Sequence, residues 1–123
     1  MTIKIDNETF DVDITSIDMA ADMLDKYAER TNDGVLHREL IGVYYNFGIT
    51  FASGYHNPTE YARLWRKLAE PVEFHEVTLW DEQGPYTQTG YFAETRHSIS
   101  KLKNGVPYWK ELSTSFIAKS PRV

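Results

Sequence analysis

Cysteine is absent from the 123 residues, and with it go a disulfide framework, a thiolate metal site and a cysteine nucleophile. Long apolar runs are absent too: nothing approaches the roughly 18 consecutive apolar residues of a membrane-spanning helix. The N-terminus, MTIKIDNETFDVDI, alternates polar and apolar residues and lacks the basic-then-apolar blocks of a secretory signal. Positive charge is in deficit, with 13 Lys and Arg against 18 Asp and Glu, a balance that repels a phosphate backbone and argues against nucleic acid as a partner. These absences predict a soluble protein that is cytoplasmic during synthesis, with no membrane partner.

What is present predicts one domain spanning residues 1–123. The chain is long enough for one core and too short for two, and 41% hydrophobic residues put it far from the regime in which a chain stays disordered. Ile3 and Ile5, the turn formers Asp6-Asn7, then Phe10, Val12 and Ile14 alternate as an N-terminal β-hairpin does. Over residues 16–30, Ile17, Ala20, Ala21, Leu24 and Ala28 fall on one helical face, and the local composition favours helix. Thr31-Asn32-Asp33-Gly34 closes that segment as a turn.

From Val35 to Phe51 the odd positions Ile41, Val43, Tyr45, Phe47, Ile49 and Phe51 are apolar, with small or polar residues between them. The spacing predicts a long antiparallel strand with one face on the core, with Gly42 and Gly48 as candidate bulges or close approaches. Asn57-Pro58-Thr59-Glu60 combines an N-cap, a proline at the first helical position and a capping-box glutamate. Tyr61, Leu64, Trp65 and Leu68 follow at helical spacing, and Pro71 ends the helix, giving a helix over about residues 58–70 with Arg63 and Lys67 on its solvent side. Three strand-like runs follow, 72–80, 90–99 and 108–118, separated by residues 81–85 and by Asn104-Gly105. The expected class is α+β: mainly antiparallel β-sheet or a small barrel, with one packed helix.

Residues that bear chemistry are present without the spacing that makes them a site. Glu73 and His75 share a strand face and His97 lies on a later strand, but no fixed ligand spacing joins them. Asp81 with Glu82, and Glu39 with Glu76, are carboxylate pairs of the kind that eighteen acidic residues produce by number alone. Ser98, Ser100, Ser113 and Ser115 lack a nucleophile-elbow context, and no glycine loop is built to cradle a phosphate. Arg63, Arg66 and Lys67 form a basic helix stripe that reads as a solvated face, with Glu70 in reach of Arg66 or Lys67. The expectation is therefore a protein that is not an enzyme, with no catalytic residue, no cofactor and no metal. Aromatic residues are too many for a domain this small to bury, which makes the Tyr44 face or the Trp109 face a candidate contact surface.

The run Leu24-Asp25-Lys26-Tyr27-Ala28-Glu29-Arg30, the turn after it, and Arg38-Glu39-Leu40-Ile41 entering a long strand resemble small tail-associated structural proteins of tailed bacteriophages and prophages, mainly of Gram-positive hosts. The short helix, Gly90-Tyr91-Phe92, the Asn104-Gly105 turn, Tyr108-Trp109-Lys110-Glu111-Leu112-Ser113 and Phe116-Ile117-Ala118-Lys119 continue the resemblance in order along most of the chain. It implies a non-catalytic virion structural or assembly protein whose partners are copies of itself or other virion proteins, and whose destination is the virion. It also implies that residues 24–30 are an extended arm reaching a neighbouring subunit, and the helix that local propensity favours stays open as the alternative. An arm that docks on a neighbour carries aromatic anchors and arginines able to pair with carboxylates, and Tyr27, Arg30 and Arg38, amid mixed charges beside the Asn32-Asp33-Gly34 turn, are therefore the expected subunit contacts. The alternative function is a small-molecule-binding α+β domain with an aromatic-lined pocket.

Overall fold

The computed structural model describes residues 3–52, 58–81 and 83–121. Its elements are β1 (Ile3–Ile5), β2 (Glu8–Phe10), β3 (Ile14–Arg30), β4 (Leu36–Phe51), α1 (Pro58–Leu68), β5 (His75–Asp81), β6 (Gly84–Lys103) and β7 (Val106–Ala118). The strands form one seven-stranded sheet in the order β2-β1-β5-β6-β7-β4-β3, and every pairing is antiparallel. The expected antiparallel sheet with one packed helix is what the chain forms. Among the described residues no pairing joins β2 to β3, and no helix is long and apolar enough to cross a membrane.

Two tight turns behave as their residues require. Asp6 and Asn7 both have positive φ, as do Asn104 and Gly105, the conformation of the two-residue hairpin turns that match strand twist. The first hairpin is shorter than the alternation suggests: β2 stops at Phe10, buried Val12 lies in the connection, and Ile14 opens β3.

Residues 16–30 are strand, not helix. Fifteen residue pairs along β3 and β4 satisfy the backbone, and a helix preference of tenths of a kcal/mol per residue does not compete with that ladder. The ladder carries three irregularities: Thr15 is an extra residue on β3 between the Ile14–Phe51 and Ser16–Thr50 pairs, and two more, farther along, compensate each other. Leu24 and Asp25 pair with Gly42 and Leu40, so Ile41 is an extra residue on β4, and Asp25 and Tyr27 pair with Leu40 and Glu39, so Lys26 is an extra residue on β3. Gly42 thus borders a bulge, whereas Gly48 sits in regular pairing with Asp18.

The core gathers Ile3, Ile5 and Phe10 from the first hairpin, Val77 and Leu79 from β5, Phe47, Ile49 and Phe51 from β4, and Leu112 and Phe116 from β7. Tyr61, Leu64 and Leu68 bury one face of α1 against it, with Trp65 packed partly buried at the side. The helix touches β2, β6 and β7, which stand first, fourth and fifth in the sheet, so the sheet curls around it. Gly90 is needed where β6 passes β7: a Cβ there would fall on the Ile117 carbonyl oxygen and 2.6 Å from Phe116 Cζ.

Candidate functional site

The overlap between β4 and β7 determines the shape of the molecule. They pair only from Phe47–Phe116 to Phe51–Leu112. Past that overlap β4 continues with β3 beyond one end of β7, and β7 continues with β6 beyond the opposite end of β4. Each continuation is a two-stranded ribbon. At a strand rise of about 3.3 Å per residue, the β3–β4 arm extends roughly 33 Å and the β6–β7 arm roughly 20 Å from the overlap.

Asn46 marks the root of the first arm. Its Nδ2 donates to Asp22 Oδ2 at 2.6 Å, and its Oδ1 accepts from the Ala118 amide at 2.9 Å. Farther out, Arg38 lies across β3, donating from Nε to Asp25 Oδ1 at 2.8 Å and reaching Met23 Sδ from Nη2 at 3.7 Å. At the tip, Arg30 Nη1 donates to the Gly34 carbonyl at 2.9 Å. Asp33 accepts from the Thr31 hydroxyl and the Val35 amide, bonds that hold its carboxyl below the usual range.

The structure places Tyr27, Arg30 and Arg38 on one arm, as the extended reading requires. Tyr27 is 50% exposed, whereas the two arginines already make bonds within the arm. The long strand departs from expectation here: Phe47, Ile49 and Phe51 enter the core, but Ile41 is 52% exposed and Leu40 is exposed beside it. No third layer of structure lies over that stretch among the described residues. Among the described residues, eight of the fifteen exposed large hydrophobic side chains belong to β3, β4 and their turn, and three more, Ile99, Leu102 and Val106, to the other arm.

Trp109 packs against α1 and is partly buried. Its ring stacks on Tyr61 at 5.5 Å between centroids, and His97 sits edge-on to both Trp109 (4.2 Å) and Trp65 (3.8 Å). Burial lowers the pKa of His97 and raises that of Tyr61, with the charge of Glu111 adding to the latter. Of the two faces named from the sequence, the Trp109 face is therefore partly covered by α1, while Tyr44 lies on the β3–β4 arm, paired with Asp22.

The metal trio Glu73, His75 and His97 does not assemble. His75 pairs with Gly90, and His97 pairs with Leu112 seven residues farther along β6. Instead, buried His75 places Nδ1 2.7 Å from Asp6 Oδ2, and Asp6 Oδ1 accepts from the Glu76 amide. Lys67 Nζ lies 3.4 Å from Asp6, 3.1 Å from Glu8 and 3.4 Å from Glu70. Asp6, Glu70 and His75 are close enough to meet an ion, and the Lys67 ammonium already lies against two of these groups, Asp6 and Glu70, and offsets part of their charge. Burial pushes the Asp6 carboxyl up, yet the His75, Glu76 and Lys67 contacts outweigh it and hold the group below its ordinary value.

The basic helix stripe is correspondingly less solvated than its sequence suggests. The Lys67 side chain is only 15% exposed, and Arg63 binds Glu60 (2.7 Å) and the Thr9 carbonyl (2.8 Å). Glu60, the capping-box residue, accepts from the Asp11 amide, and its Arg63 partner holds it down at about 2. The N-cap residue Asn57, Glu82, and the side chains of Asp81 and Ser100 lie outside the described residues. Glu39 and Glu76 stand on strands separated by β6 and β7. This network was missed because its members are up to 70 positions apart in sequence, and no local spacing announces it.

The chain matches no protein-family model and no curated protein. The hollows of its surface, about 180 to 290 Å³, include one beside Asp18, Gly48 and Arg96 and one between Phe10 and Arg63. The contact between α1 and the sheet is filled by Tyr61, Leu64, Leu68 and Trp109.

Proposed function

We propose that the protein is a non-catalytic structural or assembly subunit of a phage-type particle, acting through protein–protein contacts made by its two arms. The observation that carries this reading is the placement of apolar surface. Among the described residues, eleven of fifteen exposed large hydrophobic side chains lie on the arms and at their roots, and monomeric proteins rarely display large contiguous apolar patches. A two-stranded ribbon is marginal in water by itself, so a contact that covers it also gains from ordering it. The resemblance to tail-associated proteins points the same way, through the run from Leu24 to Ile41 that forms most of the longer arm.

Within this reading Tyr27 is the first contact residue, being aromatic, half exposed and far from the core. Arg30 and Arg38 serve beside it while also holding the arm's own turn and face. The test is light scattering of the purified protein over a wide concentration range, with negative-stain microscopy of any large species. Rings, tubes or filaments of defined width are expected. A monodisperse monomer at every concentration overturns the reading.

A further inference from the structure

The two arms leave the sheet at opposite ends and on complementary steps. Residues 36–44 of β4 have β3 as their strand neighbour on one side, and on the other side β7 does not begin until Phe47. Ahead of Leu112, β7 has β6 on one side, and on the other no strand pairs with it among the described residues. A second copy slid along the strand direction brings its β7 beside β4 of the first, on the side of β4 that the chain's own β7 occupies lower down. The antiparallel sense is then the one the chain already uses between β4 and β7. Such open edges are templates for adding a strand.

Charge separates this arrangement from its rival. Over residues 20–46 the acidic groups are Asp22, Asp25, Glu29, Asp33 and Glu39, against three basic ones, Lys26, Arg30 and Arg38. Over residues 97–112 the basic groups are Lys101, Lys103 and Lys110, against Glu111 alone. The first arm is therefore net negative by two and the second net positive by two. Two β3–β4 arms placed edge to edge around a two-fold axis would repel, whereas unlike arms attract and steer their encounter.

We propose that the protein associates head to tail with copies of itself, the β6–β7 arm of one copy lying along the open edge of β4 in the next. This rests on the assembly reading above and names its partner and contact. The interface is heterologous, so it repeats along a row of copies instead of closing as a pair. Its apolar component comes from Leu36, Leu40 and Ile41 on one arm and Val106 and Leu102 on the other, all exposed in the single chain.

The decisive experiment uses two variants. Glu29→Lys with Glu39→Lys makes the first arm net positive, and Lys103→Glu with Lys110→Glu makes the second net negative. Each variant alone carries like charge on both arms, and the concentration for half-assembly should rise by at least about tenfold. Mixed in equal amounts they should assemble again, because every arm then meets one of opposite sign. Rising salt should weaken the wild-type assembly. If the lysine reversal alone assembles like wild type, or the mixture recovers nothing, the arm-to-arm contact is wrong while an assembling wild type keeps the functional reading. A wild type that never associates sinks both. Thermal melts of each variant at a dilution where all are monomeric check folding. Should either reversal melt early, Glu29→Gln with Glu39→Gln and Lys103→Gln with Lys110→Gln must show the same ranking with smaller shifts.

Discussion

The body of the molecule and its arms are built from the same strands, yet the same alternation has opposite consequences in the two. In β4, Phe47, Ile49 and Phe51 are almost completely buried, while Leu40, which the bulge at Ile41 brings onto the same face, is 47% exposed. In β3, Ile14 is buried and Met23 is 62% exposed. Nothing in the side chains changes between the halves; the cover does. The body half has β7 beside it and α1 over the sheet, and the arm half has neither. Alternation reports that one face is apolar and leaves open what lies against it.

The contrast is sharpest at Phe116, which is fully buried between Phe47 and Phe92. Truncation to alanine should cost about 3 to 5 kcal/mol, as a large core ring with packed neighbours does. The shift of the urea midpoint in the monomeric protein measures it. A shift near zero would mean that the body is not the stable half.

Gly90 tests how tightly β6 and β7 meet. Alanine there drives a methyl group onto the Ile117 carbonyl, a backbone atom that cannot swing away, and into the Phe116 ring. The expected loss is about 1 to 3 kcal/mol, read as a lower melting temperature with the fold retained. A variant as stable as wild type would show that the strands part easily at this point.

Ionisation divides the halves as well. Asp6, Glu60, Lys67 and His97 are all displaced in or beside the body, while the β3–β4 arm has only Asp33. His97 is pushed down by burial, so folding disfavours its protonation: stability is full above its ordinary value near 6.5 and erodes as pH falls below it. Glu60 is pulled down by the Arg63 hydrogen bond, so its contribution is present above about 4.5 and disappears as pH falls towards about 2. Asp6, lowered on balance by His75, Glu76 and Lys67, acts in the same direction below 3.8. Melting temperature against pH should therefore fall in two stages on acidification. His97→Gln should remove the first stage and Glu60→Gln part of the second, and a profile unchanged by both would contradict the assignment.

The parts of this division that the sequence made legible are the ones encoded locally. Asp6-Asn7 and Asn104-Gly105 announce their turns because few other residues tolerate positive φ, and Tyr61, Leu64 and Leu68 announce the buried helix face by spacing. Residues 16–30 stayed open between helix and extended arm because alanine, leucine and lysine favour helix intrinsically, and the partner that overrides them, β4, is reached only through the turn at 31–34. The body network was illegible for a related reason: Asp6, Lys67 and His75 come together only once β1, α1 and β5 have packed. Tyr27, Arg30 and Arg38 were singled out by residue type, an aromatic and two arginines amid mixed charge beside a turn, and geometry adds that the two arginines are partly spent within the arm.

The smallest effect is expected where the exposed apolar surface is largest. Met23→Ser and Leu40→Ser remove side chains that the single chain leaves 62% and 47% exposed, so neither opens a cavity nor strands a buried polar group. In the dilute monomer each should change stability by no more than about 0.5 kcal/mol, the range of surface substitutions away from special features. The same changes should raise the concentration at which the protein associates, because they remove apolar area that only a neighbour covers. A chemical denaturation curve at low concentration and a scattering curve at high concentration read the two quantities separately. Loss of monomer stability on the scale of Phe116→Ala would show that the arm folds back onto the body in solution. Unchanged stability with unchanged association would show that these side chains face water in every state, and the contact would then have to lie on the opposite face of the ribbon, around Asp22 and Tyr44.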